Sequence, residues 1–324
     1  MLRAQNKPNR KDLLLFLGRY GTLLTLLAMI LFFSLVLPSF RSKENLANLM
    51  GQVALLALIA GGLTCCLKVG DFDLSIGAVA TLAGNSVATL LAQGHGMALS
   101  ISGALAIGLA AGAVNALLVA YVGFHSLICT LATMSVIMGL TEGLTKGISI
   151  WSGIPASFAF LGKGDIAGVP VRFIIMAAML GFIAFVHAKT EAGRKMEAIG
   201  GSPVAAGLSG INVRRNRLLA FLLSGFCAAA TGILVTSSLM ASDTNIGIGY
   251  TFPAITACFI GATTIRLGRF HVLGTLVGVF ITVVATNGMI ILLLPSYLID
   301  IVRGIILLLS VLLAGLLVGK KIMG

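Results

Sequence analysis

The residues with the most chemical potential are two carboxylates, Asp71 and Asp73, in the run Gly70-Asp71-Phe72-Asp73-Leu74-Ser75-Ile76-Gly77 between long apolar stretches. An ionised side chain inside a bilayer costs on the order of several kcal/mol unless it is paired, hydrated or at the membrane edge, so such residues are functional suspects by default. Two readings fit. Bracketed by glycines, the segment reads as a helix break whose freed backbone groups line a polar cavity. Alternatively it is a cytoplasmic turn in which Asp73 and Ser75 cap the next helix, with Lys68 just before it near the inner surface.

The other reactive residue types argue mainly for what is absent. The four histidines, His95, His125, His187 and His271, are isolated and form neither a His-Glu-x-x-His helix nor a Ser-His-Asp set. Gly315-Leu316-Leu317-Val318-Gly319-Lys320-Lys321 lacks the spacing and the Ser/Thr of a phosphate-binding loop, so the chain is not expected to hydrolyse ATP. Cys65, Cys66, Cys129, Cys227 and Cys258 lie in apolar segments with no disulfide or zinc spacing. No catalytic or metal-ligating residue is assigned. Asp300 and Arg303, three apart on one helix face, can neutralise each other for insertion or form a gate on the outer side.

The elements that carry these residues must be membrane helices. Of the 324 residues, 58% are hydrophobic and only 10% charged, and the mean hydropathy of +1.07 makes the bilayer the solvent. The 40 glycines sit inside apolar runs, where they let helix backbones approach closely. A spanning helix takes roughly 20 apolar residues, and about ten such runs occur: 20–37, 49–67, 74–92, 97–122, 127–144, 171–188, 218–240, a short eighth at 252–265, then 272–294 and 297–318. The expectation is an all-α polytopic transmembrane helical bundle forming a single domain over 1–324. The basic N-terminal segment, 1–19, leads into the first run without a small-residue cleavage site and is expected to stay uncleaved and cytoplasmic.

Ten spans place both termini in the cytoplasm. Of the 22 Lys and Arg, six (Arg41, Lys43, Lys146, Lys163, Arg172 and Arg303) then fall outside and the other sixteen inside, which is the positive-inside bias. The net charge of +12 is therefore a topology signal. It is not interleaved with aromatics in the manner of a nucleic-acid groove, so membrane lipid and no nucleic acid is the expected surrounding.

The longest cytoplasmic stretch, 189–217, predicts a short helix over 193–199 stopped by Gly200-Gly201, then a second opened by Ser202-Pro203. Two short helices joined by a glycine pair make a compact protrusion that can dock in a groove of a cytoplasmic partner. A brief internal echo is also visible: Gly70-x-Phe72 precedes Gly77 as Gly268-x-Phe270 precedes Gly274.

Three motifs carry a resemblance. The first runs through Thr190-Glu191-Ala192-Gly193-Arg194, Ala198-Ile199-Gly200-Gly201-Ser202 and Ala205-Ala206-Gly207-Leu208-Ser209-Gly210-Ile211; the second is Gly70-Asp71-Phe72-Asp73-Leu74-Ser75; the third is Ala111-Gly112-Ala113-Val114-Asn115-Ala116-Leu117. Together they resemble, over nearly the whole chain, the permeases of the ribose/arabinose/galactose class of bacterial ATP-binding cassette (ABC) sugar importers. Ser202 stands where that class usually has asparagine. At 261–269 Arg266 and Arg269 add positive charge to a turn that is commonly glycine-rich. The Gly-Asp-Phe-Asp form, with Leu127-Ile128-Cys129-Thr130-Leu131-Ala132-Thr133-Met134, looks most like the arabinose-type branch.

The resemblance implies a non-catalytic permease subunit of the bacterial cytoplasmic (inner) membrane that moves a simple sugar, a pentose or hexose such as L-arabinose or ribose. It binds no cofactor itself, ATP and Mg residing on a cytoplasmic P-loop ATPase partner. By the same resemblance Glu191, Gly193, Arg194, Glu197, Gly200, Gly201 and Gly210 dock that ATPase, within 189–217. A second permease copy or close paralogue completes the pore, and a periplasmic or lipid-anchored sugar-binding protein delivers the cargo. Asp73, Asn85, Asn115, Thr133 and Asn287 are candidates for transient hydroxyl contacts in the translocation pathway, and hydrogen bonding between helices suits each of them equally. The competing class is an ion-coupled secondary transporter of a small polar solute. It would need a coupling carboxylate near mid-bilayer, whereas Glu142 and Asp300 lie near span ends.

Overall fold

The computed structural model describes residues 10–322, with side chains described from 20 to 312; most of the basic segment 1–19 and the side chains of Lys320 and Lys321 lie outside the described residues. The chain forms thirteen α-helices in that range: α1 Arg10–Val36, α2 Lys43–Lys68, α3 Ile76–Ala92, α4 Met97–Ala116, α5 Ser126–Thr145, α6 Ala159–Lys163, α7 Val171–Lys189, α8 Glu191–Gly201, α9 Pro203–Leu208, α10 Val213–Leu239, α11 Thr251–Ala262, α12 Val272–Ile291 and α13 Ser296–Ile322. A π-helical segment, Leu117–Val122, extends α4. A two-residue hairpin, β1 Asp165–Ile166 with β2 Val169–Pro170, precedes α7. The all-α polytopic architecture is as expected. Among the described residues six helices are long and apolar enough to cross a membrane (α2, α4 with its extension, α5, α7, α10 and α12), and shorter apolar segments cover 20–36, 76–92 and 248–262. The short eighth run is α11, which stops at Ala262 because 263–271 turns back toward α12.

The core is organised around α10, which packs along α2, α3 and α4. Close approach is possible because small residues line those seams. A Cβ on Gly225 would overlap the Gly108 carbonyl oxygen and a Cβ on Gly108 the Gly225 carbonyl, while Gly232 meets Ala80 in the same way. In lipid no hydrophobic drive pulls helices together, so such backbone-to-backbone contact supplies much of the attraction. Phe221, Leu58, Ile59 and Leu63 fill the space that remains and are fully buried.

Gly225→Leu must therefore separate α4 from α10, and overpacking a well-packed site costs about 1–3 kcal/mol. It is expected to lower the melting temperature in detergent. The matched control, Gly143→Leu on α5, where an added Cβ meets nothing within 4 Å, is expected to melt as the wild type. Equal melting of the two variants would show that the Gly108–Gly225 seam contributes nothing.

Candidate functional site

Two polar centres adjoin at one end of the bundle. The first is the segment that links α2 to α3. The chain leaves α2 at Lys68 and reverses through Gly70, whose φ of +83° is the left-handed conformation that a side chain disfavours. The backbone groups freed by the turn are satisfied from α5: Phe72 N–H donates to Ser126 Oγ (3.0 Å) and Leu74 N–H to Thr130 Oγ1 (3.1 Å).

Both carboxylates of this turn are buried. Asp73 Oδ1 accepts from Ser75 N–H (3.1 Å) and Ser75 Oγ (2.6 Å), and Oδ2 accepts from Ser224 Oγ on α10 (2.7 Å). Asn115 Nδ2 then donates to Ser75 Oγ (2.8 Å), and Thr133 Oγ1 to Asn115 Oδ1 (2.7 Å). One chain of hydrogen bonds thus ties the turn to α4, α5 and α10. It is the Asp73 carboxylate that holds the start of α3; Ser75 occupies the N-cap position without making a capping bond of its own.

Asp71 lies 2.9 Å from Arg217 Nε at the start of α10. That approach is an ion pair whose angle is not a hydrogen bond's, since neither Asp71 Oδ2 nor Arg217 Nε has a hydrogen-bond partner. Burial pushes the Asp71 carboxyl up to about 6, against the pull of Arg217, Ser126 and His125.

Three of the five pathway candidates, Asp73, Asn115 and Thr133, therefore belong to one network. The other two lie apart from it. Asn85 Nδ2 donates to the carbonyls of Thr81 (2.9 Å) and Asp243 (2.7 Å), and Asn287 exchanges amide hydrogen bonds with Asn45 at 2.9 and 3.1 Å. In this conformation all five are bonded to groups of the same chain.

The second centre is the pair α8–α9. Thr190 caps α8 by accepting from Gly193 N–H, and Ser202 caps α9 by accepting from Ala205 N–H. The helix expected over 193–199 starts earlier, at Glu191, and ends at Gly201, the second residue of the glycine pair, with Ser202 as its extended C-cap. Gly200 is needed for a tertiary reason: it sits against the Lys68 carbonyl at the end of α2, where any Cβ would overlap. Gly193 is held in the same way against the backbone of Val186 and His187 at the end of α7. With buried Met196 and Ile199 these glycines form the seated face of α8.

Glu197 adds a charged clasp. It pairs with Lys68 at 3.7 Å and with Arg269 in the turn before α12. Phe72 stacks on Phe259 with ring centroids 6.2 Å apart, and Phe259 meets Phe270 edge to face at 5.4 Å. The echoed Gly-x-Phe turns thus meet at Phe259, and Gly70 and Gly268 share a left-handed φ. Because Lys68 is nearly buried, Glu197→Ala would leave an unpaired cation, which costs more than losing an exposed pair. Glu197→Ala is expected to lower the detergent melting temperature, and Lys68→Met added to it to recover most of the loss. A double variant no better than the single would contradict the clasp.

The docking candidates therefore divide by direction. Gly193, Gly200 and Glu197 face their own chain; Arg194 and Gly201 face outward, and nothing lies within 4 Å of a Cβ added to Gly201. Glu191 pairs with Lys195 at 2.8 Å on the surface, and that hydrogen bond draws its carboxyl below the usual range. Gly210, at φ +81°, supplies the left-handed residue that ends the α9 turn. Sequence reasoning passed over Val204 and Leu208, which are 74% and 87% exposed, four residues apart on α9. An apolar pair at i, i+4 in a cytoplasmic stretch was the available signal.

The two motifs that build these centres lie within residues 45–311, which match the family described as the permease component of branched-chain amino acid transport systems. The chain belongs to this permease family. It is 32% identical over 310 residues to the ribose import permease protein of Haemophilus influenzae, covering 95% of this chain and 96% of the relative. It is 36% identical to that of Bacillus subtilis (91% and 92%) and 31% identical to an L-arabinose ABC transporter permease protein of Azospirillum brasilense (91% and 87%). These identities do not single out the arabinose-type branch. No solved structure matches the permease.

Proposed function

We propose that this permease is the membrane subunit of an ABC importer for a simple sugar, a pentose such as ribose or L-arabinose, driven by ATP hydrolysis on a separate cytoplasmic P-loop ATPase. The observation that carries the reading is the α8–α9 pair, seated on the ends of α2 and α7 by one face and open on the other, in a chain whose relatives are sugar permeases. In this reading α1–α5, α7 and α10–α13 make ten spans with both termini in the cytoplasm, and α8–α9 lies on the same side. The positive-inside bias supports that orientation.

The permease catalyses nothing and holds no cofactor. It needs two conformations that differ in affinity for the ATP-bound partner and for a sugar-loaded periplasmic or lipid-anchored binding protein. A second copy or a paralogue completes the pore. Push or pull on α8 reaches α2 through Gly200 and Glu197, and from there the Asp73 network. Asp73, Asn85, Asn115, Thr133 and Asn287 meet sugar hydroxyls only where the helices part enough to release their present partners.

The test is affinity purification of the tagged permease from native membranes with mass spectrometry of its companions. Recovery of a P-loop ATPase is the expected result; an isolated chain that moves sugar into liposomes without ATP would overturn the proposal.

A further inference from the structure

The clearest feature outside α8–α9 and the Asp73 network is a cleft of about 510 Å³ between α11, α12 and α13, within the roughly 300–1,000 Å³ typical of small-molecule sites. Asp300 and Arg303 on α13, Thr256 on α11 and Thr282 and Thr286 on α12 are the polar part of a lining that is otherwise mostly apolar, with Pro253, Ala285, Met289, Ile306 and Leu307. Phe252, 66% exposed, offers a flat apolar face.

The charged pair is the informative part. Arg303 Nη1 donates to Asp300 Oδ1 (3.1 Å) and Arg303 Nε to Thr286 Oγ1 (3.3 Å). Among the described residues Asp300 Oδ2 and Arg303 Nη2 have no hydrogen-bond partner and remain free to bind. Thr256 and Thr282 spend their hydroxyl protons on the carbonyls of Phe252 and Gly278, which leaves oxygen lone pairs as acceptors. Asp300 and Arg303 lie four and seven residues beyond Ser296, so about 6 and 10 Å along the helix axis at 1.5 Å per residue. Even a self-neutralising pair at that depth is costly against lipid, and a hydrated path along the cleft would lower that cost.

We propose that this cleft is an aqueous sugar station on the outer side of the permease. Asp300 accepts hydrogen bonds from sugar hydroxyls, Arg303 donates to sugar oxygens, the threonine oxygens accept from further hydroxyls, and Phe252 covers an apolar face of the ring. The inference rests on the importer reading and names where its cargo is handled.

The native cysteines are all buried, so a single introduced thiol reports alone. Gly249 and Gly304 border the cleft, and neither has any atom within 4 Å of an added Cβ. Gly249→Cys and Gly304→Cys are made in intact cells carrying the complete transporter. They are exposed to a membrane-impermeant cationic thiosulfonate, with and without excess D-ribose or L-arabinose. Both thiols are expected to label from outside, one of the sugars to slow the labelling, and labelling to cut uptake about tenfold or more. Asp300→Asn is expected to lower uptake by a similar factor, as loss of one charge-assisted hydrogen bond implies. Full labelling with normal uptake, no protection by either sugar, or unlabelled thiols in an active transporter would overturn the station. ATP depletion separates the two levels: uptake that survives it counts against the importer reading, whereas the station is judged by labelling and protection.

Discussion

Gly201→Trp is expected to abolish sugar uptake while the permease still inserts and reaches wild-type abundance. Nothing in the chain lies within 4 Å of a Cβ at this position, so an indole there costs the fold little. Any penalty falls on whatever covers the open side of α8. A large side chain in a close-fitting interface holds the partner away, and losing about 3 kcal/mol of docking free energy lowers occupancy on the order of a hundredfold. Gly200→Trp is the instructive contrast. It must push α8 off the Lys68 carbonyl, so it is expected to lose stability as well as uptake. Arg194→Glu, also on the outward side, is expected to weaken uptake without loss of abundance. Immunoblots of membranes, uptake of labelled sugar and recovery of the ATPase would be read together. Normal uptake in Gly201→Trp and Arg194→Glu alike would remove the docking assignment.

The largest effect on stability is expected at Asp73. Asp73→Ala removes the acceptor for Ser75 N–H, Ser75 Oγ and Ser224 Oγ at a fully buried site. Each buried donor left without a partner costs about 1–3 kcal/mol, so a total of roughly 3 kcal/mol or more is expected even after partial rearrangement. The loss passes along the chain, because Asn115 and Thr133 are oriented by Ser75. Asp73→Asn keeps the shape and one acceptor oxygen and should recover part of the loss. Thermal unfolding in detergent ranks the three proteins. An alanine variant that melts with the wild type would mean that the network holds nothing together.

The helices were legible because span length and apolar composition are properties of contiguous sequence. The runs 74–92 and 272–294, for instance, became Ile76–Ala92 and Val272–Ile291. What sequence could not supply was contact across distance. Gly200-Gly201 carries a local signal to stop, and α8 does end at Gly201, but the contact that requires glycine at 200, the carbonyl of Lys68 more than a hundred residues earlier, is not in the local pattern. The pairing of Glu197 with Arg269 depends on how two turns meet, and no local pattern encodes it. At 70–75 the segment is a turn in which Asp73, and not Ser75, caps the next helix, and its freed backbone groups are satisfied by α5 hydroxyls, a contact no local pattern encodes. Val204 and Leu208 stood among small apolar neighbours, and only the fold shows that they are exposed while Ala206 is buried.

The most direct measurement places a photo-crosslinking amino acid at position 204 of α9 in native membranes and identifies what it captures. A crosslink to a polypeptide bearing a P-loop ATPase sequence is expected, lost when Gly201→Trp is added. Capture of lipid alone, or of no protein, in membranes that still import sugar on ATP would contradict it.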